Sequence, residues 1–299
     1  MSPDRFLLWT VRVHVAILPL LILLSILDPR ELMGANLWWK PIKFFVSVAI
    51  YLATVRYLLQ WTSGRALRWI GYGVAITMIG ENLAVVGQAA RGVRSHFNVS
   101  SPVDGLVFGA MGILILVNTA LLAWLLVWHC LNRIPAGEGL RWGIRWGLAV
   151  TLFASFIGGL IIANQGHTIG APDGGPGLYF LNWSTRAGDL RIAHFLGLHG
   201  IQGLPFLGWA VDQSRTPRPW LLVAVAALAY LAVTTLIYSK PSAASPCWPS
   251  AVTTRGPWTS ASLARRARDC EKIPPGQKWH NSAAKRPRRR LCKIGRAHV

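Results

Sequence analysis

The chain has 299 residues, of which 53 % are hydrophobic and only 14 % are charged. A soluble domain usually carries about 25 % charged residues, so this composition excludes an ordinary soluble enzyme and favours a polytopic protein of the lipid bilayer. The net charge of +20 does not indicate a nucleic-acid-binding protein, because residues 240–299 hold 14 Lys or Arg against 2 Asp or Glu. Residues 1–239 have a net charge of only +8.

Apolar segments long enough to cross about 30 Å of hydrocarbon recur along residues 1–239. They predict an all-α fold, a single domain of seven transmembrane helices in a bundle. The third segment is interrupted by Glu81, Asn82 and Gln88. The connection 164–190 is long and contains the turn-forming run APDGGPG, so we interpret it as a capping loop between spans five and six. The predicted spans are 6–27, 38–60, 66–90, 104–129, 142–163, 191–211 and 219–239.

The C-terminal segment, residues 240–299, has a different character. It is basic and shows no apolar periodicity, and its last six residues, IGRAHV, are what a common sequencing adapter encodes in one reading frame. We therefore expect a non-native or disordered tail without function, produced by a frame-shift or by adapter read-through. Three of the four cysteines lie in it, which leaves Cys130 alone and argues against a disulfide framework or a cysteine metal site.

An odd number of spans places the two ends of residues 1–239 on opposite faces of the membrane. We name the face with the N-terminus and the connections after spans two, four and six side A, and the other face side B. Lys and Arg are almost equally numerous on the two faces, so the positive-inside rule decides little by count. The short connections of side A favour a cytoplasmic N-terminus.

Most of the unusual polar residues fall near side B. Glu81 lies slightly past the middle of span three, where a carboxylate costs several kcal/mol unless it is protonated or paired. Glu81 is therefore a candidate catalytic base or proton carrier; the alternative is a structural acid bound to a basic residue of another span. Asp104, at the start of span four, is a second candidate base. Gln88 and Arg91, near the side-B end of span three, are candidate cofactor-binding residues.

Two lysines, Lys40 and Lys43, begin span two in the sequence NLWWKPIKF. They are three residues apart and share one helical face at the membrane boundary. Snorkelling to the lipid headgroups is the simpler explanation. The alternative is that they bind an anionic group of a ligand or pair with Glu81.

The stretch GDLRIAHFLGLHGIQGLPFLG, residues 188–208, has one polar flank. Asp189 and Arg191 are candidate catalytic residues, and His194, His199 and Gln202 are candidate cofactor-binding residues. At 100° per residue, the last four share an arc of about 140°. Three glycines on the opposite side, at positions 197, 200 and 203, predict close approach of another helix.

Histidines near side B suggest a metal or haem site. His96, His167 and His199 are the candidate metal ligands. Two histidines from different helices could ligate haem b, and three could hold a transition metal. His194 and His199 are five residues apart, too far round the helix for one shared ion, so His199 needs a partner on another span. The alternative is that each histidine is a hydrogen-bonded core residue.

The segments WWKPIKF, QAARGVRSHFN and GDLRIAHFLGLHGIQGLPFLG together resemble a family of bacterial multi-span inner-membrane proteins that has no assigned activity. The resemblance covers most of residues 30–215. It implies a membrane architecture and a location in the bacterial inner membrane, and it implies no residue roles.

Three functions are compatible with these features. The preferred one is a redox-type site with haem or a metal held by histidines, and a quinone as a possible partner. The second is a proton-linked small-molecule permease that uses Glu81. The third is an intramembrane hydrolase or transferase that acts on a lipid-borne molecule beneath the capping loop, with Glu81 or Asp104 as the base.

Overall fold

A computed structural model of the chain describes residues 1–214 and 216–243. In these residues the fold is all-helical apart from two short hairpins, as predicted. Six helices, the first five and the last in chain order, are long and apolar enough to cross a membrane. The predicted tail lies outside the described residues from position 244 onward. The helices are α1 Pro3–Leu27, α2 Trp39–Leu59, α3 Gly64–Ala90, α4 Pro102–Leu131, α5 Glu138–Ala163, α6 Leu190–Leu198, α7 Gly200–Gln213 and α8 Pro219–Ala243.

Helix capping explains why some helices begin before the apolar runs do. The Ser2 hydroxyl accepts from the backbone N–H of Arg5, and Ser101 accepts from that of Asp104. In both cases a proline occupies the first helical position, where its missing N–H leaves no hydrogen bond unmade. Helices α1 and α4 therefore each begin two or three residues earlier than hydropathy predicts.

The prediction of one continuous sixth span, 191–211, is wrong in detail. The chain there forms α6, with 9 residues, and α7, with 14 residues, separated at His199. Neither helix alone has the roughly 20 residues that a membrane span needs. Glycines in this segment weaken the helix, and Pro205 has no N–H to donate to the carbonyl of Ile201. Six helices are therefore long and apolar enough to span a membrane, and a seventh span requires α6 and α7 to cross together.

Small residues bring α5 and α7 into close contact. Gly139, Gly143 and Gly147 recur at intervals of four and so share one face of α5. A Cβ added to Gly143 would lie 2.4 Å from the carbonyl oxygen of Leu204, and one added to Gly147 would lie 2.8 Å from that of Gly200. Two of the three glycines that predicted helix contact, at positions 197 and 200, face α5, whereas position 203 is exposed and touches no other helix.

The interior is polar near side B and mainly apolar toward side A, where Thr10 and His129 are buried as well. About midway, Tyr51 donates a hydrogen bond of 3.0 Å to Asn118, and the Thr77 hydroxyl lies 3.4 Å from the same oxygen. Between these residues and side A, the helices pack through fully buried apolar side chains. They include Leu7, Val55, Leu58, Ile70, Val74, Leu122 and Leu125.

Two hairpins shape the side-B surface. Strand β1 (Glu31–Leu32) pairs antiparallel with β2 (Ala35–Asn36) between α1 and α2, and β3 (Thr168–Ile169) pairs with β4 (Gly188–Asp189). The second hairpin joins the two ends of the capping loop, so the predicted long connection forms a closed loop. Gly174, at φ +92°, brings its tip against the first hairpin, where an added Cβ would lie 3.4 Å from that of Met33. The two side-B hairpins are therefore in contact.

Candidate functional site

The capping loop is fixed to α2 and α6 by basic side chains. Lys43 donates hydrogen bonds of 2.8 and 3.2 Å to the carbonyl oxygens of Phe180 and Leu181. Arg191, in the first turn of α6, donates one of 2.6 Å to the carbonyl oxygen of Asn182. The loop therefore covers the side-B end of α2, where Lys40 also lies.

Lys40 pairs with an imidazole instead of an acid. Its ammonium nitrogen lies 3.2 Å from Nδ1 of His96, and the Ser95 hydroxyl lies 3.0 Å from the same nitrogen. Since an ammonium can only donate, Nδ1 accepts and the proton of neutral His96 sits on Nε2. Burial, together with the positive charge of Lys40, holds the pKa of His96 well below its usual range. His96 therefore stays neutral and does not compensate the lysine charge.

Basic groups outnumber acidic groups around Lys40. The charges that act on it are Lys43, Arg191 and Arg94, which oppose its own charge, and the acid Glu81. The charge of Arg191 is largely compensated, because its guanidinium forms a bidentate ion pair with Asp189 at 2.5 and 2.8 Å. We call the group of Lys40, Lys43, Arg94 and Arg191 the basic site. Among the described residues, its two lysines have no acidic hydrogen-bond partner.

Aromatic rings form the walls of the basic site. The Lys43 ammonium lies 5.5 Å from the ring centre of Phe180, and that of Lys40 lies 5.7 Å from the ring centre of Phe44. Trp39 packs on Tyr179 and Phe180 of the capping loop. Rings this close to an ammonium provide a cation–π contribution and an apolar surface.

Glu81 is buried below the basic site and is 2 % exposed. In the part of the chain that the structure describes, its Oε1 has no hydrogen-bond partner, and neither do Oδ1 and Nδ2 of Asn82. Lys40 is the charged group that acts on Glu81, but no ion pair joins the two among the described residues. The predicted structural alternative, an acid bound to a basic residue of another span, is therefore not formed here.

Asp104, Gln88 and Arg91 form a separate hydrogen-bonded group at the ends of α3 and α4. Asp104 accepts hydrogen bonds of 3.1 Å from Gln88 and 2.7 Å from Arg91, and 2.7 Å from the Ser101 hydroxyl. These bonds satisfy its carboxylate and cap α4. The structure thus explains these three residues by helix connection, and it brings none of the predicted histidine ligands to them.

The candidate metal ligands are not brought together. His96 and His167 lie on either side of Phe97, with ring centres 6.3 and 5.1 Å from that of Phe97. His167 donates to Asp173 at 2.7 Å within the capping loop. His199 is exposed at the break between α6 and α7. In the part of the chain that the structure describes, no group of three or more His, Cys, Asp or Glu residues could hold a metal ion.

His194 and His199 have the tautomer that binds metals, but they point to different neighbours. Nδ1 of His194 donates to the carbonyl oxygen of Ala154 at 2.7 Å, and Nδ1 of His199 donates to that of Phe195 at 2.8 Å. Each leaves Nε2 as a free acceptor, as in most histidine metal ligands. However, His194 packs against Gly158 of α5, whereas the ring of His199 lies against that of Phe195 at an interplanar angle of 44°. They do not form a pair of haem ligands in this arrangement.

Gln202 lies apart from the basic site, toward side A. Its amide donates to the Thr54 hydroxyl of α2 at 3.3 Å. It lines a groove of about 780 Å³ between α2, α5 and α7, together with Ile50, Tyr57 and Phe206. The predicted polar flank of residues 191–202 is therefore divided among several neighbours.

Sequence reasoning missed several residues that complete the site. Ser95 fixes the ring of His96, Asp173 holds His167, and Phe44 and Phe97 enclose His96. The aromatic residues beside histidine and lysine in KFF and SHF were a usable signal. The contact between Lys43 and the carbonyl of Phe180 had none, because 137 residues separate the two.

Comparison with protein-family models, with curated proteins and with solved structures returned no match. The geometry of the site is therefore the basis for the proposed function.

Proposed function

We propose that the chain is a seven-span protein of the bacterial inner membrane, with a cytoplasmic N-terminus, that binds an anionic amphiphile from side B. In this proposal α6 and α7 cross together as the sixth span. The observation that carries it is the basic site: Lys40 and Lys43 lie beneath the capping loop, and within the described part of the chain their hydrogen-bond partners are uncharged.

An uncompensated charge near a membrane boundary favours an anionic ligand. Partly buried ammonium groups are usually paired with an acid, because an unpaired charge is costly to remove from water. Lys40 has an imidazole partner and Lys43 has two carbonyl oxygens. A carboxylate, phosphate or sulfonate would supply the missing charge through charge-assisted hydrogen bonds.

The surroundings of the lysines favour a ligand with an apolar part. Trp39, Phe44, Tyr179 and Phe180 line the same region. Small-molecule sites typically combine such apolar walls with a few well-placed polar groups. A lipid-borne acid matches both requirements, and it agrees with the location at the membrane boundary.

The interior supports binding from one side more than passage across the membrane. Beyond Tyr51, Thr77 and Asn118 the core toward side A is mainly apolar. The buried Thr10 and His129 in that layer bond to backbone carbonyl oxygens. A permease would have to separate that apolar layer in a second conformation. Binding requires no such change.

The test compares two ligands that share an acyl chain and an amide and differ in the head group, which is anionic in one and neutral in the other. N-palmitoyltaurine carries a sulfonate, and N-palmitoylethanolamine has the same chain and amide with a neutral hydroxyl. Binding to the purified full chain in a neutral detergent can be followed by tryptophan fluorescence. We expect the sulfonate to bind at least about tenfold more tightly, since a charge-assisted hydrogen bond contributes about 1.5–3 kcal/mol.

Matched variants assign the binding to the basic site. Lys40→Met and Lys43→Met keep the aliphatic stem and remove the charge, and each should weaken binding of the sulfonate about tenfold or more. Arg65→Met, at an exposed position on side A, should leave it unchanged. Equal affinity for the two ligands, or equal loss in all three variants, would contradict the proposal.

The redox-type site is the second candidate, favoured by the free Nε2 atoms of His194 and His199. It requires movement at the α6–α7 break to bring a second histidine to the same centre. Optical spectra and elemental analysis of the purified protein decide this point. A Soret band or a stoichiometric metal that is lost in His199→Ala would favour it over anion binding.

A further inference from the structure

Glu81 belongs to a small buried group with few hydrogen bonds. Glu81 and Asn82 are each 2 % exposed, and His14 of α1 is 3 % exposed. Four polar atoms lack hydrogen-bond partners among the described residues: Oε1 of Glu81, Oδ1 and Nδ2 of Asn82, and Nε2 of His14. Nδ1 of His14 donates to the carbonyl oxygen of Thr10 at 2.8 Å, so Nε2 is an acceptor.

The helix geometry places these residues at one level. Helices α1 and α3 run in the same direction, and Gly71 packs against Pro3 and Leu7. His14 and Asn82 each lie 11 residues beyond Pro3 and Gly71, which is close to three full helical turns. Both residues therefore return to the contact face of their helices, one turn or less from Glu81. The Phe45 ring of α2 lies 5.0 Å from that of His14.

Few charges reach Glu81 from the elements around it. Helix α1 contributes His14, and α2 contributes Lys40, with Lys43 one turn further on. Arg94, His96 and Arg191 lie around Lys40. Asp104 of α4 is occupied by its own hydrogen bonds. The stabilising charge that acts on a Glu81 carboxylate is thus the ammonium of Lys40.

We propose that Glu81 is a proton-binding site whose occupancy is linked to the anion bound at Lys40. This inference rests on the proposed function. A buried carboxyl without a partner is most stable as the neutral acid, and the Lys40 charge is what favours its ionised form. An anion at Lys40 neutralises that charge and repels a Glu81 carboxylate. The ligand-bound protein therefore keeps a proton on Glu81. At any pH at which Glu81 of the free protein is ionised, anion binding is accompanied by uptake of a proton.

Linkage gives the direction of the pH dependence. Because the bound state holds one more proton, affinity for the anion rises as pH falls through the range in which Glu81 of the free protein ionises. One linked proton changes the dissociation constant by up to about tenfold per pH unit.

The experiment measures the dissociation constant of N-palmitoyltaurine on the purified full chain between about pH 5 and pH 9, since its sulfonate keeps its charge throughout. In the wild type the constant should rise with pH. In Glu81→Gln, which resembles the protonated acid in shape and charge, the rise should be smaller by the contribution of one linked proton, and the pH dependence that remains belongs to the lysines of the basic site and to His96. Glu31→Gln, an exposed acid on side B, should behave as the wild type does.

A second measurement does not depend on a variant that folds. Calorimetric titration of the wild type in two buffers with different ionisation enthalpies reports protons taken up on binding, and about one is expected near the steep part of the curve. A pH dependence that persists unchanged in Glu81→Gln, or zero uptake across the range, overturns the linkage. Absence of sulfonate binding at every pH overturns the proposed function itself.

Discussion

The close contact between α5 and α7 predicts that Gly143→Ala destabilises the protein. The added Cβ would lie 2.4 Å from the carbonyl oxygen of Leu204 and 2.9 Å from Cα of Pro205, both of them backbone atoms. Ordinary contacts begin near 3.4 Å, so α5 and α7 must separate locally by about 1 Å. Overpacking of this kind costs about 1–3 kcal/mol. For a domain of this size the midpoint of thermal unfolding should fall by roughly 2–12 °C.

Two further glycines of the same helix serve as graded controls. At Gly147 the nearest backbone oxygen would lie 2.8 Å from the added Cβ, so Gly147→Ala should lower the midpoint less. Gly159 is exposed and its Cβ would touch nothing within 4 Å. Gly159→Ala should be neutral or stabilising by about 0.5–1 kcal/mol, because alanine loses less backbone entropy in a helix.

The assay is thermal unfolding of the purified variants in one neutral detergent, followed by size-exclusion chromatography of the heated samples. The expected order of midpoints is Gly143→Ala lowest, then Gly147→Ala, then Gly159→Ala at or above the wild type. Equal midpoints for the first and the last would show that α5 and α7 do not approach as closely as their glycines allow. That result would show that the small residues of α5 do not set its distance from α7.

Three other predictions concern the side-B surface and the span count. Burial alone would raise the pKa of Asp173, but hydrogen bonds from His167 hold that pKa well below its usual range. The capping loop should therefore resist proteolysis at neutral pH and lose that resistance only in acid below about pH 4. In Asp173→Asn the loop should be cleaved already at neutral pH. Because burial lowers the pKa of His96, the unfolded chain binds one more proton than the folded chain below about pH 6.5. The free energy of unfolding should therefore decline on acidification from that pH. The decline should be less steep in His96→Gln. In a background with Cys130, Cys247, Cys270 and Cys292 all replaced by Ala, a membrane-impermeant thiol reagent should label Arg186→Cys from outside the cell but not Ser214→Cys. Labelling of both from the same side would show that α6 and α7 do not cross the membrane together.

Much of the helical architecture follows from local composition. A run of about 20 apolar residues predicts a span wherever it occurs, because each residue contributes independently to transfer into hydrocarbon. Helices α1 to α5 and α8 match such runs. The segment 191–211 does not behave so simply, since glycine and Pro205 change the backbone itself and divide the helix at His199.

The membership of the site was only partly predictable. Lys40, Lys43 and Glu81 stood out because charge inside or beside an apolar run is expensive. Helical periodicity also grouped Arg191 with the two histidines of the same span, but Arg191 turns to Asp189 and the capping loop. Periodicity gives the angle of a residue on its own helix and does not show which neighbour that angle faces.

The sequence by itself determined where the membrane-length apolar helices of residues 1–239 lie, and it identified the polar groups within and beside them. Only the tertiary structure decided which of them meet. Lys40 reaches His96 from 56 positions away, while the candidate metal ligands stay apart. The physical reason is that hydropathy adds up locally along the chain, whereas contacts between helices depend on their rotation and on how closely their glycines let them approach.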